Sequence, residues 1–369
     1  MSIKKILLIG GHPTPAIACI DFLKTSKPDV NIVFLGRKYI NIAETENTLE
    51  YQEIALDRNI KFIESKALRG LKGLKILQSS VKQSLNILKD EQPDVVLAFG
   101  GYISLPIGIA CALKNVPFYL HEQTSKAGNA NRLMGFFAKK IFVSFPESVQ
   151  EFALISAIGK KVVYTGNPIR SDIFEVQPPP SFIDSMSSPI LFINGGNMGS
   201  HAINEHIFNI LPKLLLNMSV VHQVGNVKQY GDYEKSGKMK VDLTNKYKHK
   251  YHPVTHLNTK DMAAMLQCAD LVVCRSGANT FFELIALKKP AILIPLPYSA
   301  RNEQEYHAQF LADYGVAEIF DQSQSSNLLY DRIMAVLRSM PKLEKSYDKL
   351  KKLDIRNAAE RIIAEIWQA

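Results

Sequence analysis

The stretch Asp270–Ala308, DLVVCRSGANTFFELIALKKPAILIPLPYSARNEQEYHA, decides the fold. Leu271-Val272-Val273 reads as a short buried strand. Ser276, Gly277, Ala278, Asn279 and Thr280 are small or cap-forming, the composition of a turn into a helix. Phe281 to Leu287 reads as a helix that stops before Lys288, Lys289 and Pro290, and Ala291 to Pro295 as a second apolar strand. Strand, small-residue turn, helix and strand make a βαβ unit. Backbone N–H groups at a helix start are unpaired, and the helix dipole adds roughly half a positive charge there. A phosphate is the natural ligand for such an end. Thr280-x-x-Glu283 also fits a capping box, so spacing alone leaves Glu283 as either a cap or a ligand-binding group.

The whole chain has 369 residues, which predicts two domains at about 150 residues each. Hydrophobic residues make up 46%, enough for a packed core in both. No run of about 18 apolar residues occurs, so no membrane span is expected. MSIKKILLIGG leads into a strand and lacks the small-residue cleavage site of a signal peptide. Cys19, Cys111, Cys268 and Cys274 have no metal-like spacing and sit in apolar segments, as buried thiols of a reducing cytosol do. Residues 1–170 hold 22 Lys+Arg and 14 Asp+Glu, a net +8 of the total +9. That basic half points to an anionic surface or a phosphate-bearing substrate. No helix-turn-helix, zinc or aromatic RNA-binding signature accompanies it, and nucleic acid is not expected as a partner.

Strands alternate with helices on both sides of the opening stretch. Ile6 to Ile9 is apolar, Gly10-Gly11-His12-Pro13 follows, and Ala16 to Leu23 reads as a helix. Glycines there let the backbone turn sharply and approach a ligand. His12 either caps that helix or, as a neutral imidazole, takes a proton from a hydroxyl. Asn31 to Gly36, Pro93 to Phe99 and Pro117 to Leu120 read as further strands. In residues 66–89, Leu74, Leu77, Val81, Leu85 and Leu88 share one helical face, and Lys75, Lys82 and Lys89 recur on a neighbouring stripe. This is either a core-packed helix with a solvated lysine edge or a patch that rests on an anionic membrane. Pro178-Pro179-Pro180 and the serine-rich stretch after it have linker composition. Ile190 to Asn194 is a strand followed by a second glycine turn, Gly195 to Ser200. Residues 228–250 read as solvated loop or edge strand, with a binding site as the alternative, and Lys349 to Trp367 as an amphipathic helix.

Several of these segments together resemble the MurG family of glycosyltransferases: GGH followed by proline at 10–13, GGYxSxP at 100–106, HEQ at 121–123, YTGNPIR at 164–170, THL at 255–257, and RSGANTFFE, KPAILIPLP and NEQEYHA at 275–308. The resemblance covers nearly the whole chain in order. It implies an α/β fold of the GT-B type, with two Rossmann-like doubly wound domains facing a cleft. Residues 1–168 would form the acceptor- and membrane-binding domain, with the 349–369 helix packed back on it. Residues 169–348 would form the UDP-sugar domain.

By the same resemblance, Gly10, Gly11, Thr124, Arg170, Asn197, Leu257, Ala278, Asn279, Thr280, Glu283 and Gln304 would bind the donor. Thr124 stands where family members have Asn, and Asn197 where they have Ser. The helix-start amides at 278–280 would meet the diphosphate, Glu283 the ribose hydroxyls, Leu257 the uracil and Gln304 the sugar. Gly101, Tyr102, Ser104 and Glu122 would lie on the acceptor side, where Glu122 either acts as a second acid or base or orients its neighbours. His12 is the candidate base, and Lys75, Lys82 and Lys89 the membrane patch. The implied reaction moves N-acetylglucosamine from its UDP carrier to the 4-hydroxyl of a lipid-linked muramyl-peptide with inversion, at the cytoplasmic face of the membrane. No Asp-x-Asp motif marks the candidate donor site, so neither a metal nor another cofactor is predicted. A UDP-N-acetylglucosamine 2-epimerase and a non-catalytic UDP-sugar-binding protein are the alternatives on the same fold.

Overall fold

The computed structural model describes residues 3–11, 13–39, 47–65, 74–159, 161–196, 198–351, 353 and 356–368. The chain divides into two compact units, residues 1–170 with 354–369, and residues 171–353.

The first unit runs β1 (Lys5–Ile9), α1 (Pro13–Ser26), β2 (Asn31–Gly36), α2 (Leu49–Tyr51, continued by a π-helical turn), β3 (Lys61–Glu64), α3 (Leu74–Glu91), β4 (Val95–Ala98), α4 (Ser104–Lys114), β5 (Phe118–Glu122), α5 (Asn129–Gly135), β6 (Lys140–Val143), α6 (Ala153–Ala157) and β7 (Lys161–Tyr164). Among the described residues the strands form one parallel sheet in the order β3-β2-β1-β4-β5-β6-β7. The apolar runs of these strands follow from burial on both faces. Ile6 and Leu8 join a core with Cys19 and Ile20 of α1, whereas Leu7 and Ile9 point the other way, into a core with Leu88, Ile107 and Met134. The expected apolar face of α3 is reached with small residues: Ser80, Ser84 and Leu88 are buried, and Leu77, Val81 and Leu85 flank them half-buried. Lys82 and Lys89 are exposed on the opposite side, and the Lys75 side chain lies outside the described part.

The second unit runs β8 (Ile190–Asn194), α7 (His201–Leu215), β9 (Ser219–Gln223), α8 (Asp232–Asp242), α9 (Asn245–Lys248), β10 (Tyr251–Val254), α10 (Thr259–Cys268), β11 (Leu271–Cys274), α11 (Ala278–Leu287), β12 (Ala291–Leu293), α12 (Glu303–Asp313), β13 (Ala317–Ile319) and α13 (Ser326–Ser346). Its parallel sheet has the order β10-β9-β8-β11-β12-β13. Leu191, Ile193, Val273 and Ile292 pack beneath α7 and α13. The chain then enters α14 (Ala358–Trp367), which belongs to the first unit. There Ile362, Ile363 and Ile366 are buried in the core shared with α1, and Lys140 Nζ holds Glu365 at 2.9 Å.

Two expectations are corrected. Residues 228–250 are neither loop nor edge strand but carry α8 and α9. Their helical pattern was hidden because a serine, Ser236, is the fully buried contact, assisted by the partly buried Met239, Leu243 and Tyr247. The last helix begins at Ala358 rather than Lys349. Tyr347–Leu350 is a 3-10 turn that closes α13, with Tyr347 and Leu350 buried in the second unit. All four cysteines are free, three buried and Cys268 half-buried. Burial pushes the Cys111 thiol up to about 12, so it stays protonated at neutral pH.

Candidate active site

In the second sheet the strand order reverses between β8 and β11, so the turns that follow these strands flank the topological switch point. Helix α11 starts at Ala278 with Gly277 as its N-cap, and no side chain caps it. Thr280 is therefore already inside the first turn, which removes the capping-box reading of Thr280 and Glu283. The N–H groups of the first turn remain available to an anion. Ala278 and Glu283 are buried, and Asn279 and Thr280 half-buried. The sheltered Asn279 Oδ1 has no hydrogen-bond partner.

The turn before α11 is held from several sides. Arg275 donates to Ile294 O at 2.9 Å, Pro295 O at 3.1 Å, Ser200 Oγ at 2.7 Å and Gln322 Oε1 at 2.9 Å. It thereby ties the end of the second glycine turn to the end of β12. Ser276 Oγ donates to Gln304 O at 2.7 Å, and His307 Nδ1 meets Ser276 O at 3.0 Å. Burial pushes the His307 imidazole down to about 4 despite that hydrogen bond, so it is neutral at pH 7. The glycine turn itself rests on amides. Asn194 Oδ1 accepts from Gly196 N at 2.8 Å and from Gln223 Nε2 at 3.2 Å, while Gln223 Oε1 accepts from Leu257 N at 2.9 Å. Leu257 thus spends its N–H inside the protein. Gln304 uses Oε1 to accept from Leu296 N at 3.0 Å, which leaves Nε2 to donate.

In the first sheet the switch point lies between β1 and β4. Gly11, Gly100 and Gly101 all have positive φ. A Cβ on Gly11 would lie 2.1 Å from Gly100 O, so the two turns touch and glycine is required. Ser104 Oγ donates to Gly100 O at 2.8 Å. Glu122 is 2% exposed and accepts from Thr124 N at 2.9 Å, Thr124 Oγ1 at 2.7 Å, Gly128 N at 3.2 Å and Asn131 Nδ2 at 2.7 Å. Four donors on one carboxylate make it a brace for the turn after β5. Tyr102 is 65% exposed, and Arg170 is buried at the end of the unit.

Residues 9–143 match the glycosyltransferase family 28 N-terminal domain, and residues 190–362 its C-terminal domain. A UDP-N-acetylglucosamine--N-acetylmuramyl-(pentapeptide) pyrophosphoryl-undecaprenol N-acetylglucosamine transferase of Acetivibrio thermocellus is 31% identical over 97% of this chain and 96% of its own. The chain belongs to the MurG family of glycosyltransferases. The crystal structure of Acinetobacter baumannii MurG superposes with a TM-score of 0.69 at 23% identity, covering 99% of this chain and 100% of that one. UDP-GlcNAc 2-epimerase from Neisseria meningitidis, bound to UDP-GlcNAc, gives a TM-score of 0.70 at 13% identity, with both chains fully covered. The fold is GT-B, shared by transferases and epimerases.

Of the residues that MurG resemblance marks, Gly10, Gly11, Gly101, Tyr102, Ser104, Glu122, Thr124 and Arg170 belong to the first unit, and Leu257, Ala278, Asn279, Thr280, Glu283 and Gln304 to the second. His12 and Asn197 lie outside the described residues. Sequence reading missed the supporting residues Arg275, Asn194, Gln223 and Asn131. Each ends or follows a strand, or opens a helix, beside a glycine turn, and that position was their one signal. It also missed Glu50, which no motif contains. Among the described residues, His201, Glu205 and Asp232 are grouped as a metal site requires. Asp232 is already bound to His201 at 2.9 Å and Asn204 at 2.7 Å, and Glu205 to Lys235 at 2.6 Å.

Proposed function

We propose that this protein transfers N-acetylglucosamine from UDP-N-acetylglucosamine to the 4-hydroxyl of undecaprenyl-pyrophosphoryl-N-acetylmuramyl-pentapeptide, forming lipid II for peptidoglycan synthesis. The observation that carries this is the near-full-length identity of 31% to an enzyme of that name. The acceptor oxygen attacks the anomeric carbon, the bond to the diphosphate breaks, and UDP leaves with the electron pair. The new bond is β-1,4. Uncapped amides at Ala278, Asn279 and Thr280 suit the charge that grows on the leaving diphosphate. Buried Glu283 and the free Nε2 of Gln304 suit ribose and sugar hydroxyls. His12 is the proposed base. Incubation with labelled UDP-N-acetylglucosamine and a lipid-linked muramyl acceptor should give the disaccharide. Release of an epimerised sugar would establish the 2-epimerase reading instead, and intact donor the non-catalytic one.

The protein works at the cytoplasmic face of the membrane as a peripheral protein. No helix among the described residues is long and apolar enough to cross a bilayer, and the reading rests on the basic first half and on exposed Lys82 and Lys89. Each lysine near an anionic surface contributes about 1 kcal/mol. Vesicles with anionic lipid should sediment the protein and salt should release it. A Lys75/Lys82/Lys89→Glu triple variant should stay in the supernatant yet bind UDP normally. Equal sedimentation with neutral and anionic vesicles would exclude the patch.

A further inference from the structure

Glu50 sits outside every motif, yet two glycines, just after β1 and at the end of β2, pack against its carboxyl. Oε2 accepts from Arg37 N at 3.0 Å, just past the end of β2. Oε1 lies over Gly10, where a Cβ would approach it to 1.8 Å. A Cβ on Gly36 would come within 2.8 Å of Oε2. Both glycines therefore leave room for this one carboxyl. Beside it opens a cavity of ≈ 190 Å³ lined by Gly11, Pro13, Arg37, Thr48, Glu50 and Ile103. Gly11 follows β1, Arg37 follows β2 and Ile103 follows β4. The cavity thus lies at the carboxyl ends of the strands on both sides of the switch point, where open parallel sheets bind their ligands.

The walls define what fits. Pro13 and Ile103 are apolar, and an ionised carboxylate only accepts hydrogen bonds. Arg37 in the same lining balances the carboxylate's charge, so the complement is a neutral hydroxyl on a ring with an apolar face. We propose that Glu50 is a binding residue of the acceptor-side site, accepting a hydrogen bond from a sugar hydroxyl of the muramyl acceptor in its ionised form. The inference rests on the acceptor proposed above. Burial raises the Glu50 carboxyl from its ordinary 4.5 to about 7, against the smaller opposing effects of the Arg37 N–H and guanidinium. Arg37, at the end of β2, is the one charged group facing it among the described residues. Thr48, Gly11, Pro13, Ile103 and the Phe34 ring are uncharged.

The test compares wild type with Glu50→Gln, which keeps the shape and removes the charge. Wild type should lose kcat/KM for the acceptor below about pH 7. Glu50→Gln should lower kcat/KM for the acceptor about ten- to a hundredfold, mainly through KM. It should also remove the pH dependence of acceptor binding, leaving in kcat/KM only the acidic limb that His12 as base supplies, and UDP-N-acetylglucosamine affinity should stay at the wild-type value. Direct calorimetry with a short-chain, water-soluble acceptor should show the same loss. Unchanged acceptor KM and an unchanged pH profile in Glu50→Gln, with an active wild type, would overturn the role of Glu50 alone. Weakened donor binding would place the hydroxyl on the donor and also overturn it. Wild type that neither turns over nor binds the acceptor would overturn the acceptor reading and this inference together.

Discussion

Each sheet opens with a strand, a glycine turn and a helix, and in each turn one glycine is pressed against a neighbouring loop. A Cβ on Gly11 would stand 2.1 Å from Gly100 O, and one on Gly199 2.1 Å from Val224 O. The neighbours differ in kind. Gly100 follows β4, across the switch point from β1, whereas Val224 follows β9, on the side of β8 away from β11. The first turn closes over its switch point, and the second leans away from its own. The groups behind them differ as well: the carboxylates of Glu50 and Glu122 in the first unit, the amides of Asn194 and Gln223 with the Arg275 guanidinium in the second. A carboxylate such as Glu50 accepts from a hydroxyl, while the uncapped N–H groups at the start of α11 favour an anion. One supersecondary unit is specialised twice by what packs behind its backbone, which fits a hydroxyl acceptor on the first unit and a diphosphate donor on the second.

The largest effects should come from filling the two glycine contacts. Gly199 has φ +76 and Gly11 φ +151, so alanine at either meets both strain and a backbone oxygen. Each substitution should cost about 3 kcal/mol or more. Gly277→Ala is the control, since its φ is −64 and its Cβ would meet nothing within 4 Å; it should cost only about 1 kcal/mol, the loss that alanine brings at an N-cap. Thermal melts measure all three. A Gly199→Ala or Gly11→Ala protein with the wild-type Tm would dissolve the comparison at its base.

Donor binding comes next. Glu283→Ala and Gln304→Ala each remove a hydrogen-bonding group from the second unit, worth roughly 1–3 kcal/mol, or about ten- to a hundredfold in affinity. Calorimetry with UDP-N-acetylglucosamine should show these losses in the two variants and none in Glu50→Gln. Equal affinity in all four proteins would reject the site at the start of α11.

The difference between the units was only partly legible in the sequence. The βαβ unit at Asp270–Pro295 could be read because apolar strands and a small-residue turn are local patterns. The α8–α9 region could not, since Ser236 packs where a helix of that polarity shows no apolar stripe. Glycine turns were visible, but not their supports. Asn194, Gln223 and Arg275 act through partners up to 75 positions away, such as Ser200 for Arg275. Glu50 carries no local signal at all; its importance lies in two glycines that make room for it from β1 and β2. A resemblance carried over motif by motif passes through such residues without marking them.

The smallest expected effect separates the units by pH. His307 is buried and its imidazole is pushed from 6.5 down to about 4, and burial does the same to His222, down to about 3. For a base with a lowered folded value, the stability is present above 6.5 and is lost as pH falls toward 4. Glu50 runs the opposite way. Its folded value is raised from 4.5 to about 7, so its contribution is complete below 4.5 and is lost as pH rises through 7. Acid should therefore loosen the second unit, and a rise from pH 4.5 to about 7 the first, each on the order of 1–2 kcal/mol once partial solvation is allowed for. Hydrogen–deuterium exchange at pH 5 and pH 8, corrected for the intrinsic rate, reads the two units separately. Protection should fall in residues 171–353 at pH 5 and in residues 3–65 at pH 8. Glu50→Gln should abolish the loss on raising the pH, and His307→Asn should reduce the acid one. If both units lost protection in the same direction and neither variant altered it, the contrast between a carboxyl-backed and an amide-backed sheet would have no energetic content.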